Sequence, residues 1–248
     1  MVELELRIAG IRSIESVTLS RPLASATVNF EKDHELCFPD GDCAVYLREP
    51  GRSTGDFSFL VHSSQLAQKG FQYLLDQCRL ENAILETRPM GIEEVSSSRL
   101  ALYLPAPFGV GKDELINYHL ATRNLFAWIY DLPMTGRTLG KAIVSVLLRI
   151  AMYRFGSDAK NKLDMISYLE SQKYLDFREC VDHALSVLHF AETFEVDSLW
   201  IDAFAHCVGL NHTLHESMEF SVSSPLNTGL RHPTKLTFPS LSVVSPER

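Results

Sequence analysis

The sequence predicts an α+β protein: a small, mainly antiparallel sheet packed against a helical cluster, with an extra helical insertion. Three observations carry this. Short apolar runs of strand length, Cys43–Leu47, Phe57–Val61 and Leu100–Leu104, fall in the first half of the chain and are bounded by Pro, Gly and Ser. From Asp113 onward, segment after segment repeats its apolar residues at helical spacing. The coarse order is strand, strand, helix, strand, then a run of helices, and that order places a sheet against a helical layer.

In chain order, Val2 to Ile8 alternates loosely, and residues 1–35 read as a partly ordered lead-in. Pro39-Asp40-Gly41 is a turn by its chemistry, since Pro presets φ and Gly accepts positive φ. Cys43–Leu47 and Phe57–Val61 follow as antiparallel strands joined by the Pro/Gly/Ser-rich loop 49–56. Ser63 or Ser64 can cap a helix reaching about Cys78, with Leu66, Gly70, Tyr73 and Leu74 on one face. Residues 86–98 are polar and read as a connection to the third strand, which Pro105 and Pro107 stop.

The helices are expected at Asp113–Tyr130, with Tyr118, Ala121, Leu125, Trp128 and Ile129 facing inward, and after Thr138 as cap (stripe Leu139, Ile143, Val146, Leu147, Ile150). Another follows Asp158, with stripe Leu163, Ile166 and Leu169. Asp182–Gly209 reads as two helices meeting at Phe194-Glu195-Val196, with Asp197 as N-cap and Gly209 as terminator of the second. From residue 211 the chain turns rich in Ser, Pro and Thr, a tail expected to be unstructured.

Composition sets limits. Hydrophobic residues make up 46% of the 248 and charged residues 22%, enough apolar material for a real core. A net charge of −8 with no two Lys or Arg adjacent argues against nucleic acid as a partner. The five cysteines are odd in number and widely spaced, which fits a reducing compartment, cytoplasmic or nuclear, rather than a disulfide framework. No signal peptide is evident at the start, and no apolar run approaches membrane-spanning length, so no membrane association is expected.

The motifs that could carry chemistry read as structure. Gly109-Val110-Gly111-Lys112 lacks the opening Gly of a phosphate loop (Ala106 stands there), and Asp113 would repel phosphate, so it reads as a turn and helix start. Leu132-Pro133-Met134-Thr135-Gly136 matches a sorting signal without its apolar segment and basic tail, and reads as a turn between helices. His206, Cys207, His212 and His215 lack paired zinc-ligand spacing. Ser224-Pro225 and Ser245-Pro246 are of the kind proline-directed kinases use. No catalytic set, metal or cofactor is expected. The alternative is an enzyme of unknown class, with a pocket between the sheet and the inserted helices where His119, His189 and His206 converge.

Three stretches resemble the BTB/POZ domain. In Asp42 to Leu75, an acid, a strand hairpin and Val61-His62-Ser63-Ser64-Gln65-Leu66-Ala67 are similar to that domain's opening. Phe126 to Gly136 is similar to its helix ending in Tyr-Thr-Gly, with Tyr130 split from Thr135-Gly136. Leu188 to Ala203 is similar to its late helix pair, with Glu192 for the usual Asp and Ala203 for the usual Cys. More narrowly, residues 102–142 and 167–185 resemble a group of BTB-like proteins of filamentous fungi. The resemblance covers about 36–210 and leaves 137–178 as a helical insertion. It implies a non-enzymatic protein–protein interaction module, a scaffold or adaptor that pairs with itself as a homodimer or with a cullin. Trp128 and Tyr130 are the candidate interaction surface.

Overall fold

Three short strands form one sheet in the order β2–β1–β3. They are β1 (Cys43–Tyr46), β2 (Phe59–Val61) and β3 (Leu100–Tyr103). The computed structural model describes residues 33–49, 57–78, 100–178, 180–210 and 212–222. The readings made for residues 2–8, most of the 49–56 loop, the 86–98 connection and 223–248 lie outside them. β1 runs antiparallel to β2 (Ala44 opposite Leu60) and parallel to β3 (Ala44 opposite Ala101). The sheet is therefore mixed rather than mainly antiparallel. A long crossover separates β2 from β3, so β3 can return in the direction of β1. Strand residues on both faces are buried, which is why these runs read as continuously apolar.

The free side of β2 is partly covered. A 3-10 turn at His34–Leu36 leads into Cys37, which bridges to Leu60, and the Phe38 N–H donates to the Leu60 carbonyl at 2.8 Å.

The helix expected from Ser63 to Cys78 is two helices, α1 (Ser63–Gln68) and α2 over 72–78. The break is at Gly70, with φ +86°. The Phe71 N–H reaches back to the Leu66 carbonyl (2.8 Å) and the Gly70 N–H to that of Ala67 (3.0 Å), a Schellman ending with its apolar pair Leu66 and Phe71 buried. The cap of α1 also differs from expectation. His62 is the N-cap, and Ser63 sits one residue inside with its N–H and hydroxyl donating to Asp42 at 2.7 and 2.6 Å.

α3 (Lys112–Ile129) is the axle. It is buried on every side from Thr122 to Ile129. Thr122, Arg123 and Asn124 there find partners inside the protein, whereas the buried Trp128 indole N–H makes no hydrogen bond among the described residues. Thr122 donates to the Tyr118 carbonyl (2.9 Å). Arg123 donates to Asp33 (2.9 Å), Glu35 (2.7 Å) and the Pro133 carbonyl (2.9 Å). Asn124 accepts from the Thr135 N–H (2.9 Å) and donates to the Thr135 carbonyl (2.7 Å). Residues 132–136 are thereby folded back as the expected turn between helices. Tyr168 donates to the Leu132 carbonyl (2.7 Å), and the Met134 N–H donates to Tyr174 (3.1 Å).

Beyond the turn lie α4 (Leu139–Tyr153) and α5 (Asp158–Ser171), the stretch expected as an insertion. It is not peripheral. α4 packs against α3, α5 and the later helix over Val181–Phe194, and its predicted stripe is buried. α5 is capped by Ser157, which accepts from the Lys160 N–H (3.2 Å), rather than by Asp158. Its inward face is Asn161, Met165, Tyr168 and Leu169, so Leu163 points outward, against expectation. Tyr168, bonded to the turn, sets that phase.

α6 (Val181–Phe194) is core, whereas α7 (Asp197–Gly209) buries only Ala203 and Cys207. Their corner falls where the sequence breaks. It is made by Glu195 in the left-handed region (φ 55°), with the Val196 N–H reaching the Ala191 carbonyl at 2.9 Å. Lys162 donates to the Phe194 carbonyl (2.6 Å), placing a cation at the negative end of α6. Val196, not Asp197, is the N-cap of α7, and Gly209 lies inside the helix, with Leu210 as its C-cap. The tail expected to be unstructured from 211 holds a 3-10 turn (Leu214–Glu216) and α8 (Met218–Val222).

Replacing Asn124 by Leu leaves the N–H and the carbonyl of Thr135 buried without a partner. It is expected to lower unfolding free energy in urea by about 3 kcal/mol, while Thr135→Val costs about 1 kcal/mol or less. Glu195→Gly is expected to raise stability by about 1 kcal/mol, because glycine relieves the left-handed strain. A loss of stability there would show that the Glu195 side chain contributes more than its backbone costs.

Candidate interaction surface

The two residues singled out for the surface end α3, and the structure separates them. Trp128 is 2% exposed and belongs to the core. Its ring meets Phe71 edge-on at 6.1 Å, and Lys69 and Arg154 lie over it at 5.0 and 5.7 Å. The exposed surface expected at this position is absent because the connection at Lys69–Phe71 and the end of α4 close over it. Tyr130 is half-buried and works as a joint. It stacks on Phe38 (4.4 Å), accepts from the His62 N–H (2.7 Å) and bonds the His62 ring (3.1 Å). His62 in turn contacts Asp40 (3.2 Å). Burial, partly offset by the His62 N–H, raises the Tyr130 hydroxyl above its usual range, so it stays protonated. Burial also pushes the Asp42 carboxyl upward, but its Ser63 bonds outweigh this and hold it below the ordinary value.

The surface that is free lies elsewhere. Leu148, Met152 and Phe155 are 56%, 66% and 82% exposed, and Leu163 on α5 is also exposed. Leu148 and Met152 are four residues apart and share one face of α4. Phe155 follows the helix and packs edge-on against the half-exposed Tyr73 at 5.8 Å. Two depressions flank this strip. One, of about 300 Å³, lies between α4, α5 and the end of α6 and is bordered by Leu147, Leu148, Asn161 and Thr193. The other, of about 680 Å³, is bordered by Lys69, Trp128, Arg154, Phe155 and Asp164. Its rim is held by Asp164, which pairs with Arg154 and with Lys160 (3.0 Å). Sequence reasoning passed over Leu148 and Met152 because it followed the dominant stripe. The signal was present, as apolar residues left over outside that stripe.

The three histidines of the alternative reading occupy different surroundings. His119 is buried beside the Leu47 backbone, and burial, aided by the Arg149 charge, lowers it to about 4, so it is neutral at physiological pH. His189 borders Gly140, and burial, with the Lys141 charge, lowers it too. His206 is half-buried, edge-on to Phe177 (5.2 Å) and 3.9 Å from Asp202. Cys43 and Cys78 are buried, and their mutual contact together with burial keeps Cys43 a neutral thiol. Burial raises Cys207 to about 12. Among the described residues no group of three or more His, Cys, Asp or Glu is placed to hold a metal ion. Gly109-Val110-Gly111-Lys112 is a turn and helix start, with Glu114 accepting from the Gly111 N–H at 3.4 Å.

Residues 162–231 match the model of a family described as a domain of unknown function (DUF8004). That stretch runs from inside α5 past the end of α8, so it crosses the boundary drawn at 210 from sequence. No curated protein and no solved structure matches the chain. No described helix is long and apolar enough to cross a membrane.

Trp128→Ala is expected to cost about 3–5 kcal/mol in urea unfolding, as for a core aromatic. A change near zero would return Trp128 to the surface.

Proposed function

We propose that the chain is a BTB/POZ-like protein–protein interaction module, a scaffold or adaptor without catalysis of its own. Its partners are proteins: a second copy of itself or a cullin. The observation that carries the proposal is the apolar strip of Leu148, Met152 and Phe155, facing solvent at a helix whose opposite face is core. Contiguous apolar surface of this kind is a feature of surfaces that another chain covers. The element order supports the same reading: a strand hairpin, two short helices, a third strand beside the first, then helices. Among the described residues the sheet ends at β3, an edge that backbone pairing can extend.

The test is affinity purification of the tagged chain from its own cells, with mass spectrometry, alongside sedimentation of the purified chain. The double substitution Leu148→Glu and Met152→Glu is expected to leave the far-ultraviolet circular dichroism and thermal midpoint nearly unchanged. It should weaken capture of a stoichiometric partner, or self-association, at least tenfold. A partner retained equally by the folded variant would mean that the strip is not the contact, and catalysis recovered with the purified chain would overturn the reading altogether.

A further inference from the structure

We infer that the segment from Leu214 to α8 is a strap that docks on the start of α4 through Glu219 and loosens as pH rises through neutrality. The start of α4 lacks a cap of its own, since the Thr138 side chain makes no capping bond. Its first amides turn instead to a carboxylate far along the chain. The Leu139 N–H donates to Glu219 Oε1, and the Gly140 N–H donates to both oxygens at 3.4 and 3.3 Å. Gly140 permits the approach: a Cβ there would lie 3.1 Å from Glu219 Oε2 and 3.2 Å from the Ser186 Cα. Ser217 is the second fastening, donating to Asp182 on α6 and accepting from the Glu219 N–H at 3.1 Å. Leu214 and Phe220 complete the contact, buried with Phe177, Ala184 and Leu185.

Docking takes the Glu219 carboxyl out of water, leaving it 1% exposed. The charged and titratable groups around it are Asp182 and His189 on α6, Lys141 on α4, and His215 and Glu216 on the strap itself. Asp182 is the one whose charge bears on Glu219, and it repels an ionised carboxylate. Burial first, with Asp182, outweighs the helix amides and the Ser186 hydroxyl and raises Glu219 from 4.5 to about 7. A freed strap returns the group to its ordinary value. The docked form therefore holds a proton that the free form gives up. Docking is strongest below the ordinary value and weakens as pH rises through about 7, by about tenfold between pH 6 and pH 8. Release uncovers the first amides of α4 and the apolar floor at Ala184 and Leu185.

The experiment is hydrogen–deuterium exchange of the full chain at pH 6, 7 and 8, corrected for intrinsic exchange rates. Protection of 213–222 and 138–142 is expected to fall about tenfold from pH 6 to pH 8, while 122–129 stays unchanged. Glu219→Gln, uncharged at every pH, is expected to remove that dependence, and Asp182→Asn to move its midpoint to lower pH. Wild-type protection that does not vary with pH overturns the inference, as does a Glu219→Gln chain that keeps the wild-type dependence. If that variant loses protection at 122–129 and so does not fold, Asp182→Asn decides: an unmoved midpoint overturns the inference.

Discussion

Burial of α3 on all sides from Thr122 to Ile129 is the constraint on which the rest of the structure depends. A helix surrounded by protein cannot leave its side-chain polar groups to water, so Thr122, Arg123 and Asn124 must be satisfied from within. Thr122 is answered inside the helix, and the other two by distant chain. Arg123 draws in the 3-10 turn near residue 34, and Asn124 draws in the turn before α4. That turn aims α4 back across α3, and Tyr168 and Tyr174 hold it from the far side. The helical layer owes its direction to a few buried polar bonds, although its mass is apolar.

Much of this was legible in the sequence, and the failures share a cause. The three strands, the predicted stripe of α4 and the corner at Glu195 declared themselves through local signals of period, breakers and turn chemistry. The caps did not. Asp197, Asp158 and Ser63 each lie one residue inside the helix they were expected to start, because the choice of cap depends on the path of the preceding chain. Helix phase failed at Leu163 for a similar reason. A tyrosine bond to a turn outweighs the apolar sum when a helix has few large apolar groups. Trp128 received two readings, an inward place in the stripe of its helix and a place on the candidate surface, and its burial agrees with the first. The ordered segment at 212–222 was hidden by its composition: its order comes from one carboxylate meeting an uncapped helix start about eighty residues earlier.

The parts of α4 differ in character. Its inner face joins the main core, its first turn is closed by Glu219, and its outer face presents Leu148 and Met152 to solvent. The stretch that departs most from the family resemblance is therefore the one that touches the core, the C-terminal strap and the exposed strip at once. A contact on the outer face and the fastening at the first turn share one rigid rod, so strain on either is felt along its 15 residues.

The Arg123 cluster bears on where a working fragment can begin. Taken at face value, the resemblance starts the domain at residue 36. Cutting there deletes Asp33 and Glu35 and leaves a guanidinium that is 7% exposed, among the described residues, with the Pro133 carbonyl alone. An uncompensated buried cation costs on the order of 3 kcal/mol, a large share of the stability of most domains. Poor expression of such a fragment would then report on the scissors rather than on the fold. The physical N-terminal edge of this unit lies at or before Asp33, three residues upstream of where the sequence resemblance would place it.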